Sequence, residues 1–205
     1  MTWPTALPLI AILRGITPDE TLAHVGALVD AGFDAIEIPL NSPDWMLSIP
    51  AAVSRYGARA LIGAGTVLTP EDAVEVARLG GKLMVTPNTD PAVIRQARES
   101  ELYTAIGFST PSEAFAALKA GAHSLKLFPA TTFGPAYIRA IRAVLPKNVP
   151  LLAVGGVTPE NLHEFLDAGC IGAGLGSDLY KPGQSPARTS ERAKAFIDAY
   201  RSYRV

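Results

Sequence analysis

The strongest constraint on the fold is a helix-start motif that recurs along the chain. Four segments begin with Thr-Pro and continue with acidic or polar residues: 17–20, 69–72, 110–113 and 158–161. A threonine can cap free backbone N–H groups, a proline in the first helical position gives up no hydrogen bond, and acidic side chains suit the positive end of the helix dipole. Each segment therefore predicts the start of a helix. Ser42-Pro43-Asp44 and Asp90-Pro91 are variants of the motif.

The predicted helices also end alike, and an apolar strand follows each end. A glycine, which can adopt the left-handed conformation, closes each of the four helices, at Gly32, Gly80, Gly121 and Gly169. The strands that follow are predicted over residues 34–39, 82–87, 123–128 and 170–175. Four further strands, each ahead of helical sequence, are predicted over residues 7–13, 60–64, 102–106 and 150–154.

The spacing of the motif sets the number of units. The four Thr-Pro starts lie 52, 41 and 48 residues apart, which leaves room for two strand-helix units in each interval and predicts eight units in all. Short apolar strands that alternate with capped helices favour an α/β fold with a parallel sheet covered by helices. The best prediction is a compact (β/α)8 barrel, and an open doubly wound sheet is the alternative. In a barrel, function is expected at the C-terminal ends of the strands.

The chain is expected to form a single domain over residues 1–205. At 205 residues it is long enough to bury a continuous core, and no long linker, charge block or low-complexity tract divides it. Residues 186–205 are predicted to be the last barrel helix, because Ala193, Phe196, Ile197 and Tyr200 recur at helical spacing.

Composition favours a small-molecule partner. The net charge of −1 gives no electrostatic reason to expect a nucleic acid or an acidic membrane as partner. The apolar run at the N-terminus lacks a basic region, a cleavage pattern and spanning length, so it is interpreted as the first strand. The lone cysteine, Cys170, excludes an intramolecular disulfide, suits a cytoplasmic location and is interpreted as a core residue.

Lys126 is the first candidate for chemistry. It lies between Leu125 and Leu127, so strand alternation turns its amine toward the face opposite those leucines, inside the fold. Burial disfavours the charged ammonium, lowers the pKa and makes the neutral amine available to attack a ketone. The alternative is a lysine whose stem packs while its ammonium reaches solvent.

Glu37 is the second candidate, because Ile36 and Ile38 flank it in the same way. Alternation turns its carboxylate into the barrel, where it can face Lys126. A buried carboxylate next to an amine and a substrate hydroxyl can transfer protons. The alternative is a structural ion pair with Lys126.

Further polar groups follow other strand ends. Arg14 ends the first strand, and its guanidinium suits a carboxylate or a phosphate. Thr66 follows the third strand, and its hydroxyl can bind a carboxylate or simply cap a turn. Glycines after strands seven and eight leave backbone N–H groups open to a phosphate: Gly155, Gly156, Gly174 and Gly176, with Ser177 next to them.

A metal site is not predicted. His24 and His163 fall inside predicted helices and His123 opens a strand, without the spacing or the carboxylates of a catalytic metal centre. No Gly-x-Ser-x-Gly segment is present, so a serine hydrolase is poorly supported.

Several of these segments together resemble a known family. Glu37 with Ile38 and the segments 63–67, 86–88, 126–129 and 154–156 resemble the class I aldolases for 2-keto-3-deoxy-6-phosphosugar acids, the KDPG/KHG family. The resemblance covers nearly the entire chain. Segments 10–15, 37–43 and 173–180 look specifically like the galactonate branch of the family, and the gluconate branch has an arginine in place of Asn41 and a threonine in place of Val154.

The resemblance implies a role for each candidate. Lys126 would form the Schiff base and Glu37 would be the acid/base, while Arg14 and Thr66 would bind the substrate carboxylate and Arg14 would replace the arginine missing at Asn41. Pro87 would shape the pocket and Val154 would set specificity. The phosphate would be held by Gly155, Gly156, Gly176 and Ser177.

The implied reaction is the cleavage of a phosphorylated 2-keto-3-deoxy sugar acid to pyruvate and glyceraldehyde 3-phosphate, with no cofactor and no metal, by a homotrimer. Three alternatives stay open. They are a gluconate or 4-hydroxy-2-oxoglutarate aldolase, a phosphosugar isomerase or epimerase on the same scaffold, and a phosphosugar-binding barrel without catalysis.

Overall fold

The structure, a computed structural model, describes residues 2–203 as a regular alternation of strands and helices. The strands are β1 (Leu9–Ile12), β2 (Ala35–Pro39), β3 (Leu61–Gly65), β4 (Leu83–Val85), β5 (Tyr103–Phe108), β6 (Ser124–Leu127), β7 (Leu151–Val154) and β8 (Gly172–Leu175). The helices are α1 (Pro18–Ala31), α2 (Trp45–Tyr56), α3 (Pro70–Arg78), α4 (Pro91–Glu99), α5 (Pro111–Lys119), α6 (Ala130–Arg142), α7 (Leu162–Asp167) and α8 (Pro186–Tyr203). Residues 204 and 205 of the predicted last helix lie outside the described part.

The eight strands form one closed parallel barrel in chain order. The barrel closes where β1 pairs with β8, with Leu9 opposite Ala173 and Ala11 opposite Leu175. The prediction of a (β/α)8 barrel is confirmed, and the alternative of an open doubly wound sheet is wrong because a sheet of that kind keeps two free edges.

Most of the predicted helix starts are confirmed. The side chain of Thr69 accepts a hydrogen bond from the Asp72 N–H, and Thr110 forms a complete capping box with Glu113. Asp90 caps α4 in the same way. These caps satisfy backbone donors that a helix leaves free in its first turn.

Two predicted starts are displaced along the chain. The helix expected from Thr158 begins at Leu162, because the Asn161 side chain binds the Thr158 N–H at 2.8 Å and holds a turn there. The helix expected from Ser42 begins at Trp45, because the Ser42 hydroxyl accepts a hydrogen bond from the Gly15 N–H at 2.9 Å and does not cap α2.

The core consists of two layers that the strand alternation separates. Residues such as Ile36, Ile38 and Leu125 point outward and pack against the helices. A smaller cluster fills the barrel interior and is built from Ile10, Ile12, Ala35, Leu83, Val85, Ala105, Leu152 and Val154. Cys170 and the predicted apolar face of α8 are buried, as expected. In residues 2–203, no helix is long and apolar enough to cross a membrane.

Candidate active site

A cavity of about 550 Å³ lies at the C-terminal ends of the strands. Ten residues that the sequence singled out for a site line it: Arg14, Glu37, Thr66, Pro87, Lys126, Val154, Gly155, Gly156, Gly176 and Ser177. Gly174, which the sequence also offered for a phosphate, is not part of the lining. A larger depression of about 770 Å³ lies at the opposite end of the barrel, next to residues that precede the strands, such as Asp34 and Pro150. Because none of the predicted site residues lines the larger depression, the cavity at the C-terminal ends is the candidate active site.

Lys126 lies inside the barrel near the end of β6. Its neighbours Leu125 and Leu127 face the helices, and Lys126 itself is only 6% exposed. Burial lowers the pKa of its ammonium to about 8, with a further lowering by Arg14, although the Glu37 carboxylate acts in the opposite direction. The alternative of an ammonium that reaches bulk solvent does not describe this side chain. A substantial fraction of Lys126 is therefore a neutral amine at mildly alkaline pH.

Glu37 lies on β2 and is 2% exposed. Desolvation raises the pKa of its carboxyl group to about 7, while the positive charges of Lys126 and Arg14 partly oppose that rise. A carboxyl group with this pKa can both accept and return a proton near neutral pH.

Glu37 and Lys126 influence each other without forming an ion pair among the residues that the structure describes. Each nevertheless shifts the pKa of the other through its charge. Both groups line the same cavity and are not within ion-pair distance of each other, so the alternative of a structural ion pair does not describe them.

Arg14 is held at one side of the cavity by two neighbouring loops. Its guanidinium donates a hydrogen bond to the Asn41 side-chain oxygen at 2.7 Å and a longer one to the Thr66 hydroxyl at 3.4 Å. Thr66 has a φ of 56°, in the left-handed region that a threonine adopts at a cost. The cation and the hydroxyl form a polar site suited to a carboxylate.

The glycines after β7 and β8 form another part of the cavity wall. Gly155 and Gly156 have φ values of 100° and 76°, so the turn needs glycine at both positions. A Cβ on Gly156 would lie 2.4 Å from the Thr131 hydroxyl, whereas a Cβ on Gly176 would meet nothing within 4 Å. The backbone at Gly176 therefore faces open space that an anion can occupy, with the exposed Ser177 beside it.

Val154 lies at the end of β7 and is 4% exposed. It is the only member of the barrel's inner apolar cluster, apart from Ile12, that also lines the cavity, among the residues described. Pro87 and Phe128 complete the wall, and the Lys126 amine lies 5.1 Å from the centre of the Phe128 ring.

The sequence analysis missed several residues of this site, among them Asn41, Asp178 and Lys181. Asn41 was noted only for an absent arginine, although it positions Arg14. Asp178 and Lys181 line the cavity from the loop that follows β8. The signal for Lys181 was its closeness to the end of β8, but a lysine in a polar loop has no pattern that distinguishes it from a surface residue.

The histidines take no part in the cavity. His24 is buried on α1 and contacts the Thr189 hydroxyl at 2.8 Å, and His123 lies at the start of β6 next to Thr104. Within residues 2–203, no group of three or more His, Cys, Asp or Glu side chains could hold a metal ion.

Comparison with known proteins agrees with this geometry. The family model described as KDPG and KHG aldolase matches residues 4–190. The chain is 62% identical over 201 residues to the 2-dehydro-3-deoxy-6-phosphogalactonate aldolase of Escherichia coli strain K12, which covers 98% of each chain. It is 52% identical over 197 residues to a probable enzyme of the same name from Rhizobium meliloti strain 1021, with 96% of this chain and 93% of the relative covered.

A solved structure is similar over the same length. A structure described as native KDPGal superposes with a TM-score of 0.98 at 62% identity, and the match covers 99% of this chain and 98% of the other. The sequence and the fold therefore point to the same relatives.

Proposed function

Because the chain belongs to the KDPG and KHG aldolase family, we propose that it is a class I aldolase that cleaves 2-dehydro-3-deoxy-6-phosphogalactonate to pyruvate and D-glyceraldehyde 3-phosphate. The observation that carries this proposal is a lysine with a lowered pKa, buried inside a barrel and facing the same cavity as a buried glutamate. That pair supplies a nucleophile and a proton carrier without any further group.

The reaction begins at the amine of Lys126. The neutral amine attacks the C2 ketone, and loss of water gives an iminium whose positive charge can accept electrons. Arg14 and Thr66 hold the C1 carboxylate, which fixes C2 within reach of the amine.

Glu37 then takes the proton of the C4 hydroxyl. As that proton leaves, a carbonyl forms at C4, the C3–C4 bond breaks, and its electron pair moves into the iminium to give an enamine. Glyceraldehyde 3-phosphate departs. Protonation of the enamine at C3 and addition of water, which replaces the water lost earlier, release pyruvate and restore the free amine.

The galactonate epimer is the proposed substrate on two grounds. The relatives with 62% and 52% identity carry names for that epimer, and Val154 and Asn41 differ from the threonine and arginine of the gluconate branch. An assay of both epimers side by side tests the choice. A higher kcat/KM for the gluconate epimer would contradict it.

Trapping tests the chemistry itself. Treatment with pyruvate and borohydride reduces the iminium to a stable amine, so peptide mass spectrometry should find the pyruvate-derived mass on Lys126 and Lys126→Met should take up none. The exposed Lys194 offers a matched control, because Lys194→Met should be labelled like the wild type. An isomerase or a binding protein would carry no adduct, and labelling at another lysine would refute the assignment.

The proposal extends to the assembly and its location. Three apolar side chains on α1 and α2 are exposed, with Leu22 at 42%, Met46 at 52% and Leu47 at 62%, and burial between copies would remove them from water. We propose a cytoplasmic homotrimer, in keeping with the family resemblance and with a single buried cysteine. Light scattering should give three times the mass of the chain, and Leu47→Glu should lower it.

A further inference from the structure

The loop after β8 carries a basic side chain into the cavity. The lining contains three basic residues, Arg14, Lys126 and Lys181, and two acidic ones, Glu37 and Asp178. Under the function proposed above, Arg14 is engaged with the substrate carboxylate and Lys126 forms the iminium. Lys181 is therefore the remaining cation of the described lining, and a phosphate dianion would otherwise be met by backbone dipoles and a hydroxyl alone.

Asp178 does not neutralise Lys181. Its carboxylate forms an ion pair with Arg192 of α8, and the Arg192 guanidinium also binds the Asp178 backbone oxygen at 3.0 Å. Arg188, the other arginine in the small polar cavity beside this loop, pairs with Glu191 at 2.7 Å. Across residues 2–203, the Lys181 ammonium has no carboxylate within ion-pair distance.

The backbone at Lys181 is anchored in spite of the exposure of its side chain. The Lys181 N–H donates to the Gln184 side-chain oxygen at 3.1 Å. The Gln184 amide nitrogen in turn donates to the Leu179 backbone oxygen at 2.9 Å and to the Thr189 hydroxyl at 2.7 Å. One glutamine side chain thus fixes both ends of a short loop, which limits the region that the Lys181 ammonium can sample.

The same loop packs against the first strand's end. A Cβ on Gly15, which has a φ of 81°, would lie 2.9 Å from Cγ of Pro182. The loop therefore lies close to the turn that follows Arg14, and Lys181 lines both the active-site cavity and the polar cavity beside Ser177 and Asp178. Glu160 lines the smaller cavity and not the active-site cavity, so Glu37 is the one carboxylate of the described active-site lining that forms no ion pair.

We propose that Lys181 is a specificity-determining residue that binds the substrate phosphate, next to the turn formed by Gly176 and Ser177. Its positive charge complements the dianion, and its anchored loop, which follows the turn at Gly176 and Ser177, holds that charge in the part of the cavity wall where the phosphate is proposed to bind. Lys181 is thus what makes the cavity prefer a phosphorylated acid over its unphosphorylated analogue. This inference rests on the proposed function for the identity of the substrate, but not for the binding of a phosphate.

The test compares Lys181→Gln and Lys181→Arg with the control Lys194→Gln, which removes the same charge from the exposed face of α8. We expect Lys181→Gln to lower kcat/KM for the phosphorylated acid by about tenfold to a hundredfold, the range of a hydrogen bond to a charged group. Turnover of the unphosphorylated acid should stay within about twofold of the wild type because only the phosphate contact is lost. Lys181→Arg and Lys194→Gln should behave like the wild type.

A binding measurement separates this inference from the aldolase proposal. Isothermal titration calorimetry measures the affinity for glycerol 3-phosphate, with glycerol as the neutral counterpart. This affinity does not depend on a reaction at Lys126. Weaker binding of glycerol 3-phosphate to Lys181→Gln supports the inference even if no aldol cleavage is found. Equal binding to wild type and variant, no binding to either, or an equal loss of turnover for both acids would overturn it.

Discussion

The Glu37 carboxylate lies directly over Gly65. A Cβ built on Gly65 would come within 1.1 Å of Oε2 of Glu37 and 2.3 Å of its Cδ. The strand register explains the contact, because β2 and β3 are paired so that Gly65 is opposite Pro39, near the cavity end of both strands. The absence of a side chain on β3 therefore creates the space in which the carboxylate of the proposed acid/base is held.

Gly65→Ala should slow the cleavage step, which uses Glu37, without preventing the formation of the Schiff base on Lys126. The added methyl group must displace the Glu37 carboxylate, and a misplacement of about 1 Å in a catalytic group can cost a hundredfold in rate. We expect kcat for cleavage to fall by about a hundredfold, whereas trapping of pyruvate on Lys126 should persist because the amine is not moved. Gly134→Ala is the control: a Cβ there meets nothing within 4 Å, and although the φ of 76° makes the substitution strain the backbone, kcat should stay at the wild-type value because Gly134 does not line the cavity. Loss of trapping in Gly65→Ala would contradict this explanation.

The pH dependence of the reaction follows from the same pair. Lys126, with a pKa of about 8, must lose its proton to attack the ketone. Glu37, with a pKa raised to about 7, must be ionised to accept the C4 hydroxyl proton. Both requirements act in the same direction, so kcat/KM should rise from about pH 6 to about pH 9. Initial rates over that range check it, and an activity that falls with increasing pH would exclude these roles.

Glu37→Gln should shift the titration of Lys126. The negative charge of Glu37 raises the pKa of the ammonium, so its removal leaves burial and Arg14, which both lower that pKa. Borohydride trapping of pyruvate at a series of pH values should therefore reach its half-maximum at a lower pH in the variant than in the wild type. A shift to higher pH would mean that the two groups do not interact through their charges.

Strand alternation is why the core of the site could be predicted from the sequence. Glu37 and Lys126 each stand between two apolar residues on a strand, and a period of two leaves a single inward direction for both. The helix caps at Thr69 and Thr110 depend on residues within the same turn, so they too could be predicted locally. The inward direction of Glu37 and Lys126 and the caps at Thr69 and Thr110 depend on nearby residues in the chain, so they could be predicted without a structure.

The residues that were missed depend on contacts between distant segments. Asn41 positions Arg14 across 27 residues of sequence, and Arg192 holds Asp178 from a helix 14 residues further along. No local pattern distinguishes Asn41 and Asp178 from ordinary loop residues, because only the folded structure brings their partners to them. The displaced start at Thr158 is a local exception: it carries the same motif as Thr69, but the Asn161 side chain, three residues further on, binds its N–H and delays the helix.

Acid should destabilise the fold through His123. Burial, with a smaller contribution from the Arg98 charge, lowers the pKa of His123 from 6.5 to about 4. Between these values the unfolded chain binds a proton that the folded chain does not, so the free energy of unfolding falls as the pH is lowered through this window. His24, whose pKa burial also lowers, acts in the same direction.

The melting temperature should therefore drop between about pH 6.5 and about pH 4, and the drop should be smaller in His123→Asn. His163→Asn, which changes an exposed histidine on α7, should show the wild-type pH dependence. If the melting temperature of His123→Asn fell as much as that of the wild type, a group other than His123 would cause the acid sensitivity.

Val154→Thr should weaken the preference for the galactonate epimer. The substitution keeps the shape of the side chain but places a hydroxyl in the cavity wall, and a site that can bond a substrate hydroxyl discriminates between epimers. We expect the ratio of kcat/KM for the galactonate over the gluconate epimer to fall by about tenfold. Val157 lines the same cavity and is 3% exposed, so Val157→Thr is a matched control whose ratio should not change. If the ratio changed equally in Val154→Thr and Val157→Thr, the cause would be the added polarity of the cavity wall and not the position of Val154.

Arg192→Lys should loosen the turn at which the phosphate is proposed to bind. The guanidinium holds both the backbone oxygen and the carboxylate of Asp178, and a lysine cannot make this two-point contact. Because Asp178 follows Gly176 and Ser177 directly, the turn should sample more conformations, and KM for the phosphorylated acid should rise by about tenfold. The kcat and the trapping of pyruvate should remain near the wild-type values, since Lys126 and Glu37 lie on other strands. Arg188→Lys is the matched control on the same helix, because Arg188 forms an exposed ion pair with Glu191 that is worth little, and it should leave KM unchanged. A fall in kcat without a change in KM would show that Arg192 acts on the chemistry and not on the phosphate turn.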